Sequence, residues 1–274
     1  MGPGGCGGRR GYDLLVRLLL LAALVAGAGT AHSGRAPIDA SPPLAVAAAA
    51  DLQSALPPIA AQFERESGHH VNLTFGSSGN FYTQIQNGAP FDVFLSADID
   101  YPRRLEADGL AEPGSLYEYA AGRLVLWVRT DSGLDVRRGL ALLADASVRR
   151  IAVANPAHAP YGRAAVAALQ HAGLYDVTRP KLVLGENISQ AAHFAQSGNA
   201  DAGVIALSLA LAPGMKAVGR YYEIADGSYP PIAQGVIVIG ASKQKTLAHQ
   251  LVDYLKTPAA KSQLESFGFA AGRP

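Results

Sequence analysis

The residues best placed to do chemistry lie in four short stretches: Ala49-Ala50-Asp51, Gly76-Ser77-Ser78-Gly79-Asn80, Pro160-Tyr161-Gly162 and Glu186-Asn187-Ile188. Each follows a run that reads as a β-strand and precedes one that reads as a helix. In open parallel sheets, ligands bind beyond the carboxyl ends of the strands. Each following helix presents free main-chain N–H groups and the positive end of its dipole at that edge. Gly76 and Gly79 let the main chain approach a ligand closely, and Ser77, Ser78 and Tyr161 add hydroxyl donors. Two such turns on each of two facing lobes would hold an anion with neutral donors alone.

The same turns are poor material for covalent chemistry. Ser78 lacks the G-x-S-x-G frame of a nucleophile elbow, and no Gly-Lys-Ser/Thr makes a phosphate-binding Walker loop. The turns contain no Lys, His or Cys, with His158 slightly upstream of the third. His69-His70, His158, His171 and His193 show no H-x-x-x-H spacing, which speaks against a zinc site. Asp92 and Asp98 flank a strand in "DVFLSAD" without a partner at a recognisable spacing, and read as cap and hinge residues.

The elements that must position these turns alternate. Residues 44–47, 71–75 and 92–95 read as strands, with helices between them around Leu56, Ile59 and Phe63 and around Phe81 and Ile85. Pro57-Pro58 falls inside the first helical pattern and predicts an irregular first turn. Residues 101–108 read as a helix. A strand over 124–128 leaves the first lobe. A second strand–helix set follows over 151–154, 163–172, 182–184, 189–196 and 203–206. A strand over 236–239 and two terminal helices return to the first lobe, the last opened by Thr257-Pro258. The pattern predicts an α/β protein of two lobes, each a mostly parallel sheet flanked by helices, with the ligand cleft between them. Lobe 1 is expected over 44–122 and 221–274, and lobe 2 over 123–220.

Composition fits this reading. Apolar residues make up 49% of the 274 and charged residues 16%, enough for a core and unlike a disordered chain. The net charge of +1 comes without basic runs, which argues against nucleic-acid binding. Residues 1–31 read as an export signal: Arg9, Arg10 and Arg17 precede an apolar core over 18–29, and Gly29-Thr30-Ala31 offers a cleavage site, with Ala36 as the latest alternative. The core of about twelve residues is short of the roughly 20 that span a bilayer. Residues 32–43, rich in Gly, Ser, Pro and Ala, read as a flexible leader. Cys6 lies before the apolar core, so the mature chain holds no thiol for a disulfide, a nucleophile or a metal. Removing 1–31 turns the formal charge from +1 to −1, so an anion must be bound by local donors rather than by the overall field.

The stretches "AVAAAADL", "FGSSGNFYTQIQNGAPFDVFLSAD", "AVANPAHAPYGRAAVAALQHAGL", "LVLGENISQA" and "VDYLKTPAAKSQLESFGF" resemble the periplasmic molybdate-binding proteins of ABC importers, over about residues 44–269. The resemblance implies the type II periplasmic-binding fold, molybdate or tungstate as ligand, no cofactor and no catalysis. It also implies a periplasmic monomer that hands its ion to a permease in the inner membrane. The family's ligand positions fall on Asp51, Ser78 with Ser77 beside it, Tyr161 and the main chain of Ile188, with Ala50 and Asn187 in the same turns. Some members have a tyrosine where Ala206 stands, and the phenol of Tyr161 is expected to replace it at the oxyanion. Asp51 departs from the Ser or Asn common in the family. Its carboxylate would repel a dianion and is expected to turn away, capping its own helix. Sulfate, thiosulfate or phosphate on the same scaffold is the first alternative, and an enzyme the second.

Overall fold

The computed structural model describes residue 1 and residues 42–272; the expected signal and most of the leader lie outside the described residues. In chain order the first lobe holds β1 (Leu44–Ala49), α1 (Leu56–Ser67), β2 (Val71–Gly76), α2 (Ser78–Gln86), β3 (Val93–Ser96), α3 (Asp100–Ala107) and β4 (Tyr117–Gly122). The second holds β5 (Leu124–Arg129), β6 (Ile151–Ala154), α4 (Pro160–His171), α5 (Tyr175–Thr178), β7 (Leu182–Gly185) and α6 (Ile188–Gln196). It continues through β8 (Ala202–Ala206), α7 (Leu207–Ala210), α8 (Pro213–Lys216) and β9 (Gly219–Glu223). The chain then returns through β10 (Ile232–Val238), α9 (Lys245–Leu255), α10 (Pro258–Ser266) and β11 (Ala270–Ala271).

The first sheet has six strands in the order β11-β4-β10-β3-β1-β2, and the second has five in the order β7-β6-β8-β5-β9. Both are mixed. The runs β2-β1-β3 and β7-β6-β8 are parallel, while β4, β10 and β11 in one sheet and β5 and β9 in the other run antiparallel to their neighbours. The mostly parallel expectation came from the strand–helix units; the strands entering and leaving each lobe need no helical crossover and so pair antiparallel. The return crossing also falls later than expected. Residues 221–223 belong to β9, which pairs with β5 from Gly219↔Arg129 to Glu223↔Val125, so the second sheet keeps them and the first resumes at β10.

Local chemistry accounts for the element starts. Between β1 and α1 the chain coils into a short 3₁₀ turn, Ala50–Leu52, and α1 begins only at Leu56, with the two prolines in its first turn. Proline there loses only an N–H that has no helical partner. Leu56, Ile59, Ala60 and Phe63 form the buried face of α1, and Gly68, at φ 76°, closes it. Helix α2 begins earlier than Phe81, at Ser78, so the serine pair lies at the helix start itself. Helix α4 likewise begins at Pro160, which places Tyr161 in the first turn. Two apolar clusters cover the faces of the first sheet, one around Leu56, Phe63 and Val236 and one around Phe81, Phe94 and Leu105. The core of the second lobe, around Trp127, Leu143 and Ile205, extends to Ala49, Ala50 and Ala97 of the first.

Gly162 sets how closely α4 can sit on the end of β6. A Cβ there would lie 2.2 Å from the Ala154 carbonyl oxygen and 2.8 Å from its carbon, both main-chain atoms that cannot rotate away. Gly162→Ala should therefore cost about 1–3 kcal/mol of stability, read as a lowered urea midpoint with an unchanged m-value.

Candidate functional site

The four turns meet. Ala50 and Asp51, Ser77 and Ser78, Tyr161, and Asn187 and Ile188 line one small cavity of about 200 Å³, mouth included. Ala206 does not line it. This residue ends β8, fully buried, and passes the chain into α7. Main-chain N–H groups of Asp51, Ser78, Tyr161 and Ile188 all stand in first helical turns, where no preceding carbonyl of the same helix can accept them. No Lys or Arg side chain lines the cavity.

The hydroxyls divide the work. Ser78 is buried, and its Oγ accepts the Ala97 N–H at 3.0 Å, which fixes the side chain and leaves the O–H proton to donate elsewhere. Ser77 caps no N–H of α2. Its hydroxyl donates across the cleft to the His158 carbonyl at 2.6 Å, with His158 Nδ1 2.9 Å away. The Asn187 side chain is committed to its own helix, where Oδ1 accepts the Gln190 N–H at 3.0 Å. The Tyr161 phenol, expected to reach the oxyanion, instead donates to Asp51 Oδ2 at 2.9 Å.

Asp51 is the centre of the arrangement. It is 0% exposed. Its carboxylate does not cap its own turn, which has no side-chain cap. Oδ2 accepts from Tyr161 and from the Gln234 amide, and Gln234 Oε1 in turn accepts the Tyr119 hydroxyl at 2.6 Å. The physical reason is burial: a carboxylate shut away from water takes the donors within reach, and the first-lobe amide of Gln234 and the second-lobe phenol lie there. Among the described residues Oδ1 has no hydrogen-bond partner. The main-chain N–H groups of Asp51 and Leu52 are close enough to favour the charged form, without hydrogen-bond geometry to Oδ1. Desolvation outweighs all four stabilising groups and raises the carboxyl from 3.8 to about 6. Burial, together with the charge of Asp51, pushes the Tyr119 and Tyr161 phenols well above 10, so both remain neutral donors.

Further pairs tie the lobes around the cavity. Ser208 Oγ donates to the Asp51 carbonyl at 2.8 Å, and the Gly79 N–H to the His158 carbonyl at 2.9 Å. Asn80 Nδ2 donates to Glu186 Oε1 at 2.6 Å, and Ser189 donates to Gln53. Arg163 pairs with Asp98 and also donates to the Tyr101 hydroxyl at 3.2 Å. Asp98 thus does two jobs, since its Oδ1 also accepts the Asp100 N–H at the start of α3. Gly122, where the chain leaves the first lobe, is required by packing: a Cβ there would lie 2.1 Å from the Tyr161 hydroxyl oxygen. Sequence reasoning missed Gln234, Tyr119 and Ser208, which come from other elements, far from the turns in sequence, and no spacing or motif marks them. It placed His158 just before the third turn but gave it no partner.

A small cavity of neutral donors, shut between two sheets joined by two crossings, is the build of a two-lobed solute receptor. Residues 44–270 match the family model described as bacterial extracellular solute-binding protein. The molybdate-binding protein ModA of Azotobacter vinelandii is 41% identical over 224 residues, spanning 82% of this chain and 88% of that protein. The ModA of Rhodobacter capsulatus is 40% identical over 223 residues, spanning 81% and 86%. The solved structure of the Azotobacter vinelandii periplasmic molybdate-binding protein aligns with a TM-score of 0.79 at 35% identity, covering 84% of this chain and 100% of that one. The chain belongs to the bacterial extracellular solute-binding protein family.

The buried carboxylate has a signature in the stability of the protein without ligand. The folded-state value of about 6 lies above the ordinary 3.8, so the stabilising, protonated form is complete below about 3.8 and lost as pH rises through about 6. Asp51→Asn removes that loss. The stability of Asp51→Asn relative to the parent should rise by roughly 2–3 kcal/mol between about pH 4 and about pH 7.5, measured by urea unfolding at each pH. A difference that stays flat across that range contradicts the assignment.

Proposed function

We propose that the protein captures molybdate or tungstate in this cavity and delivers it to an ABC permease. The observation that carries the reading is the convergence of four helix starts and the Ser78 hydroxyl on one cavity with no cationic side chain in its wall. Its support is the 41% identity to a protein named for binding molybdate. A tetrahedral dianion that leaves water needs a donor for each oxygen, and fixed N–H and O–H groups supply them at a set radius without a counter-ion. Molybdate and tungstate are nearly equal in size and larger than sulfate, so a rigid ring of donors separates them from sulfate but not from each other.

In this reading residues 1–31 direct export to the periplasm, where the mature chain acts as a monomer and its closed form is what the permease recognises. No helix among the described residues is long and apolar enough to cross a membrane. Ser77 and His158 resemble a nucleophile and its base, but the geometry favours a structural role. The His158 carbonyl can only accept, so the Ser77 hydroxyl donates to it at 2.6 Å rather than to the imidazole nitrogen.

Thermal shift of the mature protein with molybdate, tungstate, sulfate and phosphate tests the reading. An anion at 100 times its dissociation constant should add about 2.7 kcal/mol, with molybdate and tungstate giving the large shifts. A shift with sulfate or phosphate but with neither of the larger anions sinks the substrate assignment. Ser78→Ala, which removes the free hydroxyl donor, should weaken binding by about 1.5–3 kcal/mol. Isothermal calorimetry that finds the same affinity in the variant would remove the Ser78 side chain from the site.

A further inference from the structure

The reading above leaves one group in the cavity wall that works against it. Asp51 is fully buried, lines the cavity and carries an oxygen, Oδ1, with no hydrogen-bond partner. A carboxylate there confronts an incoming dianion with a like charge in a medium that screens poorly. The surroundings supply no cation to cancel it. From the 3₁₀ turn and α4 come only main-chain N–H groups and the Tyr161 phenol. Strand β10 contributes the neutral Gln234, β4 the Tyr119 phenol behind it, and α7 the Ser208 hydroxyl on the Asp51 carbonyl. Helix α6 contributes Ile188 at the cavity and Ser189, paired with Gln53, beside it. Tyr229 lies beyond Tyr161 and accepts the Leu124 N–H at 3.1 Å. Along the cleft Arg163 is paired with Asp98, and the His158 ring lies 3.7 Å from the Glu186 carboxylate.

We propose that Asp51 makes anion capture proton-linked: the site takes up one proton from solvent on Asp51 together with each dianion. This rests on the reading that the cavity is the anion site. The balance is simple. The ionised protein, one proton and the dianion give a complex with a neutral Asp51 and the anion's two charges unchanged. The natural seat of the proton is Oδ1, because Oδ2 already accepts from Tyr161 and Gln234. Protonation changes Oδ1 from an acceptor without a partner into a donor, the type of group a tetrahedral oxyanion requires. The carboxyl is poised for the exchange, since burial, opposed by the groups around it, already holds it at about 6. The residue is then a specificity device as well. A ligand is captured fully only if its interactions offset the cost of holding that proton at neutral pH.

The test is isothermal calorimetry of the mature protein with sodium molybdate and sodium tungstate from about pH 5.5 to about pH 8.5. Each pH is measured in two buffers of different ionisation heat, so that protons taken up are counted directly. The dissociation constant should be nearly level below about 6 and rise toward tenfold per pH unit above it. Proton uptake should climb in parallel toward one per anion. In Asp51→Asn both dependences should vanish, because Asn still accepts from Tyr161 but cannot titrate. Tight binding in the parent with a level dissociation constant and no proton uptake overturns the proposal. So does a pH dependence that survives in Asp51→Asn, which would assign the proton to another group. If that variant does not fold, Asp51→Ser, which also cannot titrate, is measured with the same two readouts and the same outcomes. No binding of either anion at any pH overturns the reading of the cavity itself, and the linkage with it.

Discussion

The two lobes meet on a carboxylate shut away from solvent and, among the described residues, held by neutral donors alone. Asp51 is held by one donor from each side of the cleft, Gln234 of the first lobe and Tyr161 of the second. Burying such a group is costly unless its lone pairs are used, so its position restricts everything around it. Gln234 presents its amide nitrogen to the carboxylate, and the Tyr119 hydroxyl holds the other end by donating to it. Tyr161 must stay in the first turn of α4, and Gly162 lets that turn press against the end of β6. Gly122 must lack a side chain, because the Tyr161 hydroxyl occupies the space. The crossing between the lobes and the wall of the cavity are thus one packed unit.

Around this centre, closing the cleft and binding an anion fall to different groups. The side chains most able to reach across, Ser77, Asn80, Ser189 and Arg163, bond to the opposite lobe. Those left for a ligand are main-chain N–H groups and the Ser78 hydroxyl, which are locked by helix geometry and by the Ala97 contact. Flexible groups shut the cleft and rigid ones shape the cavity. That separation suits a receptor that must distinguish ions by radius, because a donor that could move by a few tenths of an ångström would accept the smaller ion too.

Much of this arrangement was legible in the sequence, for a physical reason. A strand-to-helix turn leaves a local mark: small residues, a hydroxyl, amide or carboxylate near the helix start, and periodic apolar residues on either side. All four turns carried it, and the structure brings them to one cavity. The residues behind the cavity wall carried no mark. Gln234 lies in a strand, 183 positions from Asp51, and looks like any polar residue in an apolar run. The expected boundary at residue 221 cuts through β9, because nothing in the sequence around Tyr221 and Tyr222 marks a strand and only the pairing with β5 shows one. The partner of the Tyr161 hydroxyl was likewise open, since a phenol at a helix start can reach a ligand or a neighbour equally well.

Asp51 shows where reading a site by its expected residue type runs out. Sequence reasoning could see that a carboxylate is awkward beside a dianion, and resolved the conflict by turning the side chain away. The structure keeps it in the cavity wall and resolves the conflict differently, by placing it where its charge is already difficult to maintain. A Ser or Asn in this position would offer polarity without titration. An aspartate offers the same shape with one further degree of freedom, a proton that can be present or absent near neutral pH. Nothing in the fold requires that freedom: an amide would accept from Tyr161 as well, and the Gln234–Tyr119 pair can turn to meet it. The carboxylate is therefore better explained by what happens when the cavity fills than by what holds the empty protein together.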